Sequence, residues 1–424
     1  MSLAAILLWS CIFNIKISIL NFGGSAVRPE DFLIAIILPA MWVQNKNSFR
    51  RVPSYMRYFF AFIGVTVISA VINGIVGRVP LGVSLLYALR QVEYFLFFFI
   101  GRDLWRKGFE YHRLASAYIL YGVSMSFLSQ IGAIPKFSVM DATRWGGNTS
   151  GPYEFAVVLA IMASFVMLAP NKRAGYVRFP SLFLAIIGIF MSQSRITLLA
   201  FLFVFRSLFP RWSVLKLFMV TTLLIVAGVA TLSLYSSQHS NASAAVPATR
   251  FQNSSDFQIV NEIAGRFPAI KPVLTSDEYQ KDAFQTAVFA GRGEDDLSAY
   301  VRFFRWAVLI KSSAQSVETV LIGLGPSFGT SAVDGNYVRI FVEDGVIGLL
   351  LIGAFFSCVI RKNFTHNMEM RNILVILLVS AIFIDVLESL RPMILFWSYL
   401  GYIEERDSKG RQLLHRINEK ALAA

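Results

Sequence analysis

The chain has 424 residues, of which 55% are apolar, 14% aromatic and only 15% charged, with a formal net charge of +13. A soluble domain carries more surface charge than this, and the apolar runs lack the alternation of a membrane β-barrel. In so apolar a chain the positive excess reads as Lys and Arg on cytoplasmic loops, not as a nucleic-acid footprint.

Apolar stretches close to the roughly 18–20 residues that cross a hydrocarbon core recur along the chain. Lipid offers no partner to a backbone N–H or C=O, so α-helices are the expected element. In chain order the predicted spans are 3–20, 31–44, 56–76, 84–101, 114–131, 152–169, 179–192, 196–209, 213–235, 335–358, 372–388 and 392–403. The first lacks a basic start and a small-residue cleavage site, so it reads as a retained span and not a signal peptide. The expected fold is an all-α polytopic membrane protein of about twelve helices, with a large helical external (periplasmic) loop between spans 9 and 10. Its parts are helices 1–9 in residues 1–235, a cap at 236–334, helices 10–12 in 335–403 and a basic tail at 404–424.

Alternate loops fix the sidedness. One set is short and basic: Lys46, Arg50, Arg51 and Arg57, then Arg102, Arg106, Lys107 and Arg113, then Lys172, Arg173 and Arg178, then Arg206, Arg211 and Lys216, then Arg361, Lys362 and Arg371, and the tail after Glu405. Such loops face the cytoplasm, which leaves both termini cytoplasmic. In the cap, Thr275-Ser276-Asp277-Glu278 fits a capping box. Asp295 or Asp296 is placed to start a second helix through Leu297–Lys311.

The outward segments favour arginine: Arg28, Arg78, Arg144, Arg195, Arg250, Arg266, Arg292, Arg302, Arg305, Arg339 and Arg391. Arg195 lies between the apolar runs Pro180–Phe190 and Ile196–Phe205. A charge at mid-bilayer depth is costly, so two short helices meeting in a tight turn with Arg195 at its tip are expected. Arg302 and Arg305 are three apart and share a helix face. Guanidinium groups suit bidentate contact with phosphate or carboxylate. The alternative is that several simply pair with Glu262, Glu278, Glu294 or lipid headgroups. Asp334 starts the Asp334-Gly335-Asn336 entry to a span and also fits a helix cap. Arg339 and Glu343, four apart, fit an intrahelical pair, as Arg90 and Glu93 do at three. Asp385 and Glu388, near the outer end of their span, would hold Arg195 or touch a substrate. Cys11 and Cys358 form no metal or disulfide pattern, and no cofactor or metal is expected. His112, His239, His366 and His415 are scattered, which disfavours a catalytic histidine.

Three stretches together resemble the O-antigen polymerase/ligase superfamily of bacterial glycan assembly. They are Arg144-Trp145-Gly146-Gly147-Asn148-Thr149-Ser150-Gly151-Pro152-Tyr153-Glu154; the turn Ser192-Gln193-Ser194-Arg195; and Arg302 and Trp306 through Gly323-Leu324-Gly325-Pro326 to Asp334-Gly335-Asn336-Tyr337 and Glu343-Asp344-Gly345-Val346-Ile347-Gly348. The ligase branch carries a His-Asn pair where this chain has Asp334 and Gly335, so the resemblance favours a polymerase. It implies transfer of a glycan from a polyprenyl-diphosphate carrier to an acceptor hydroxyl, at the periplasmic face of the bacterial inner membrane. The expected catalytic residues are Asp334 and Arg195. Arg302, Arg305, Arg144, Arg339, Tyr337 and Asn336 would bind diphosphate or glycan. Expected partners are the lipid bilayer, the lipid-linked glycan, and flippase and chain-length regulator proteins, with no nucleic acid. A ligase and a lipid-linked-sugar transporter are the competing readings.

Overall fold

The computed structural model describes residues 2–15, 20–22, 25–27, 29–44, 52–135, 144–149, 151–168, 175–206, 297–329 and 334–423. The predicted span 213–235, the Thr275–Glu278 capping box, Asp295, Asp296, His239, Arg28, Arg250, Arg266 and Arg292 lie outside the described residues. Helix dominates what is described. The order is α1 (Leu3–Phe13), a hairpin of β1 (Leu20–Phe22) and β2 (Ser25–Val27), α2 (Pro29–Gln44), α3 (Met56–Ile75), α4 (Leu81–Arg106), α5 (Tyr111–Gln130), α6 (Pro152–Met167), α7 (Gly175–Met191) and α8 (Arg195–Arg206). It continues with α9 (Leu297–Ser313), α10 (Val317–Ile322), α11 (Asn336–Asn363), α12 (Met368–Ser380) and α13 (Leu390–Ala423). Among the described residues, α3, α4 and α11 are long and apolar enough to cross a membrane, and shorter apolar helices accompany them.

α4 and α13 pack backbone against backbone. A Cβ on Gly101 would lie 1.7 Å from the Ser398 carbonyl oxygen, and one on Gly401 would lie 1.8 Å from that of Phe98. Without side chains at these two positions the backbones touch, as small residues permit in apolar helix packing. Beside this seam Phe59, Phe95, Phe355 and Trp397 form an aromatic core, with the Phe59 and Trp397 rings 4.7 Å apart.

Two predicted spans end early, each for an identifiable reason. α1 stops at Phe13, not at residue 20, because the Ile12 and Asn14 carbonyls are taken from outside: the Asn148 Nδ2 donates to both, and so does the Arg391 guanidinium. Such borrowed donors satisfy the carbonyls that a helix end leaves open. α12 stops at Ser380, not 388. The following turn brings Asp385 and Glu388 to Arg339, and a buried carboxylate needs such a partner more than it needs a continued helix. The predicted tail at 404–424 continues α13 as helix to Ala423.

α11 breaks at Gly345, whose φ of 72° is left-handed. The break frees the Val342 and Glu343 carbonyls, which accept from Leu324 N (2.7 Å) and Gly325 N (3.1 Å), while the Ser69 hydroxyl also donates to Glu343 O at 2.7 Å. A Cβ on Gly323 would meet Glu343 backbone atoms at 2.3 Å, and one on Gly345 would meet Leu321 O at 2.2 Å. Two glycine motifs that are separate in sequence are thus one backbone interlock.

Beyond the apolar part of α13, Arg102 and Arg106 donate to Glu405 at 2.9 and 2.8 Å, and Lys362 and Tyr55 donate to Glu404 at 2.6 Å. Burial alone would raise the Glu405 carboxyl, but the hydrogen bonds from Arg106 and Arg102 outweigh it and hold it below its ordinary 4.5. The stability this adds is complete above the ordinary value and fades as pH falls through the lower, folded-state one. Thermal unfolding of the detergent-solubilised protein should therefore lose more on acidification from about pH 5 to about pH 3 than unfolding of Glu405→Gln does. Parallel acid profiles for the two proteins would remove this linkage.

Candidate functional site

The site is assembled from four segments distant in sequence, all at helix ends. The first is the loop 144–149. Thr149 ties it into a tight turn by donating its hydroxyl to Gly146 O (2.7 Å) and Gly151 O (2.8 Å), and Tyr118 donates to Asn148 Oδ1 at 2.9 Å. Gly151 and Pro152 then start α6, with Pro at a first-turn position where its missing N–H costs nothing.

The second segment is the turn at 192–194 between α7 and α8, which has the predicted form of two short helices. Gln193 takes a positive φ of 56°. Ser192 caps back to Ile189 O at 2.6 Å, and Ser194 pairs with the Thr197 hydroxyl at 2.7 Å. Arg195 is the first residue of α8, half-buried and engaged with its surroundings. Arg144 joins loop to turn: it is 6% exposed, and its Nε donates to Ser192 O at 3.0 Å.

The third and fourth segments are α9 and the approach to α11. Arg302 donates through Nε (3.1 Å) and Nη2 (3.0 Å) to Asp334 Oδ2. Trp306, one turn further along α9, donates its indole N–H to Asp334 O at 2.5 Å and stacks on Phe383. Tyr153, the second residue of α6, ties the halves together. The Arg144 guanidinium lies 4.4 Å from its ring centroid, and the charges of both Arg144 and Arg302 act on its phenol. Burial works against the charge of Arg302, but Asp334 and then Tyr153 outweigh it, so the guanidinium holds its proton more firmly than usual. The Asp334 side chain keeps 43% of its exposure, so solvent reaches this junction.

Of the sequence-predicted residues, Arg144, Arg302 and Asp334 therefore meet, with Arg195 beginning the helix whose turn Arg144 holds. Arg305, one turn from Arg302 on α9, is half-buried and engaged. Three others face a different set of contacts. Arg339 is 4% exposed and bound to Asp385 (2.8 Å) and Glu388 (2.5 Å), with Glu343 at 3.7 Å. The expected i,i+4 pair with Glu343 exists but is the longest of the three, and Asp385 and Glu388 hold Arg339, where Arg195 or a substrate was the expectation. Tyr337 donates to Leu378 O at 2.8 Å. Asn336 accepts from Leu387 N at 2.9 Å. Arg391, expected on the outer surface, is 1% exposed and bound to Glu154 and to the Ile12, Asn14 and Asn148 carbonyls.

Sequence reasoning did not single out Tyr153 or Glu154. The usable signal was an aromatic hydroxyl and an acid in the first turn of a helix that follows an arginine loop. Among the described residues no group of three His, Cys, Asp or Glu side chains is placed to hold a metal ion. The chemistry on offer is that of fixed guanidinium donors around a phenol and a solvent-facing carboxylate, which suits an anionic ligand and a proton acceptor beside it.

The class defined by these observations is a helical protein with helices able to cross a membrane and a charged arginine–tyrosine–aspartate junction at helix ends. No family model matches the chain, and no curated protein matches it either.

Proposed function

We propose that the protein is a membrane glycosyltransferase that polymerises polyprenyl-diphosphate-linked oligosaccharide units into O-antigen, capsular or exopolysaccharide. The observation that carries this reading is Arg144 against the Tyr153 ring and on the turn that precedes Arg195, with the Arg302–Asp334 pair close enough for its charges to act on the same tyrosine. It supports the reading because the same three sequence stretches that resemble the O-antigen polymerase/ligase superfamily supply those residues. In this reading the chain crosses the bacterial inner membrane about twelve times with both termini cytoplasmic, and the junction faces the periplasm.

The transfer breaks the bond between the donor's anomeric carbon and its phosphate oxygen, and the electron pair leaves with the diphosphate. Arg195, Arg302 and Arg144 stabilise that growing negative charge without having to reorganise. The acceptor hydroxyl oxygen forms the new bond, and its proton passes to Asp334 or to water beside it. Asp334 has a second role in holding the Arg302 fork in place. Flippase and chain-length regulator proteins are the expected partners, and no cofactor or metal takes part in the scheme.

The test is incubation of the purified chain, in lipid vesicles, with a synthetic polyprenyl-diphosphate oligosaccharide. The expected product is a ladder of glycan lengths, abolished by Arg195→Ala at an unchanged protein level. A single transfer to a different acceptor lipid would favour a ligase. Vesicle uptake of the lipid-linked sugar without any ladder would replace the reading with transport.

A further inference from the structure

α11 and the turn after α12 bring four carboxylates together with one guanidinium. Arg339 touches Glu343, Asp385 and Glu388, so it already serves three acids. Asp344, next to Glu343, adds a fourth. It is 5% exposed and stands just before the Gly345 bend. Its Oδ1 has no hydrogen-bond partner among the described residues. A carboxylate buried in apolar surroundings needs a cation or hydrogen bonds to offset the water it gives up.

A small cavity beside Asp344 shows what can meet that need. Its volume is about 30 Å³, room for about two bodies the size of a water. Glu343, Asp344 and Glu388 line it, and no Lys or Arg among the described residues does. Neutral oxygens reach the same wall from Thr66 on α3 and from Tyr87 and Gln91 on α4. Thr66 is the informative one. Its hydroxyl donates to Phe62 O at 3.1 Å, which uses its single hydrogen. What it offers the neighbouring Asp344 carboxylate is therefore an oxygen. Two oxygens with no hydrogen between them are brought together by positive charge.

The size of the space decides which positive charge. An organic ammonium group is too large for it. Ca²⁺ takes six to eight oxygen ligands and Mg²⁺ keeps several waters, more than such a volume holds. Nor does any group of three His, Cys, Asp or Glu side chains among the described residues converge as a divalent site would ask. A proton answers Asp344 alone, whereas a small ion also answers Glu343 and Glu388 across the same space. Asn336 fits such an ion through water. It is fully buried, its Oδ1 accepts from Leu387 N, and its Nδ2 has no partner among the described residues. An N–H there suits the oxygen of a water in the ion's shell.

We propose that this cavity binds a monovalent alkali cation, held by the Asp344 carboxylate with neutral oxygens from α3 and α4. The site joins α3, α4 and α11 beside the Gly345 bend, so its occupancy stabilises the packing of these helices. It does not depend on the transferase reading.

The experiment uses the full chain in lipid nanodiscs exchanged into choline chloride. NaCl, KCl or MgCl₂ then replaces choline chloride at constant ionic strength. Trp397 lines the cavity and reports by fluorescence, with Trp397→Phe as the blank. Sodium or potassium is expected to give a saturable response and to raise the thermal midpoint by about 3 °C or more at a hundredfold excess over Kd. Asp344→Asn keeps the shape and removes the charge, so it should weaken the response at least about tenfold. In choline alone this variant should melt no lower than the wild type, since the uncompensated buried charge is gone. Thr66→Val, which loses only the lining oxygen, should weaken the response several-fold. The proposal is overturned if neither alkali ion gives a response that choline lacks, if MgCl₂ gives it instead, or if Asp344→Asn responds as the wild type does. A response to pH alone, equal in sodium and in choline, would give the site to a proton and overturn it too. Fluorescence and melting are read without any glycan product, so this site and the transferase reading fail separately.

Discussion

Arg391→Ala is expected to lower unfolding stability by about 3–5 kcal/mol, the usual effect of breaking a buried charge network from one side. The guanidinium is 1% exposed, and its loss takes a partner from four groups together. Glu154 loses its cation, and the Ile12 and Asn14 carbonyls at the end of α1 lose a donor, as does the Asn148 carbonyl of the site loop. Thermal unfolding of the detergent-solubilised protein, followed by circular dichroism, measures this. A lysine at the same place restores one charge but not a fork able to reach four acceptors, so Arg391→Lys should recover only part of the loss. A shift under 1 kcal/mol for Arg391→Ala would mean that water enters and replaces these contacts.

Arg302→Ala is expected to reduce glycan extension by about 100–1,000-fold, the range seen when one preorganised donor to a developing anion is removed. Stability should change far less, because the Asp334 side chain is 43% exposed and solvent can take over its hydrogen bonds. Arg302→Lys should fall between, keeping a charge near the diphosphate but losing the two-pronged contact with Asp334. Asp334→Asn gives the cross-check. If Asp334 both holds Arg302 and receives the acceptor proton, this variant lowers the turnover rate more than it weakens donor binding. Equal loss in both would confine Asp334 to positioning. Wild-type extension by Arg302→Ala would remove the junction from the chemistry altogether.

Much of the local architecture was legible because a single costly residue forced it. A charge at Arg195 between two apolar runs required a break there, and α7 and α8 meet at that break. The α9 helix followed from its periodic apolar residues, and runs from Leu297 to Ser313 where Leu297–Lys311 was expected. Helix ends decided by distant partners were not legible. Nothing near Phe13 marks the end of α1, because the donors that close it come from Asn148 and Arg391. Asp385 and Glu388 looked available to Arg195, yet Arg339, 46 and 49 residues away in sequence, holds them. Charge pairing inside an apolar medium is settled by which groups the fold buries together, and spacing along the chain does not encode that. Tyr153, named within the first stretch, was given no role for the same reason: its place between two arginines 158 positions apart in numbering is set by the fold.

The glycine interlock has a mechanical consequence for the junction. Arg302 stands on α9 and Asp334 at the mouth of α11, and α10, which follows α9, is clasped to α11 at the Gly345 bend with no side chain between the two backbones. Main chain resting on main chain leaves no soft rotamers to absorb a slide. The separation of the guanidinium and the carboxylate is therefore braced from a distance like the jaws of a caliper, and a ligand wedged between them would strain the backbone contact at Gly323 and Gly345.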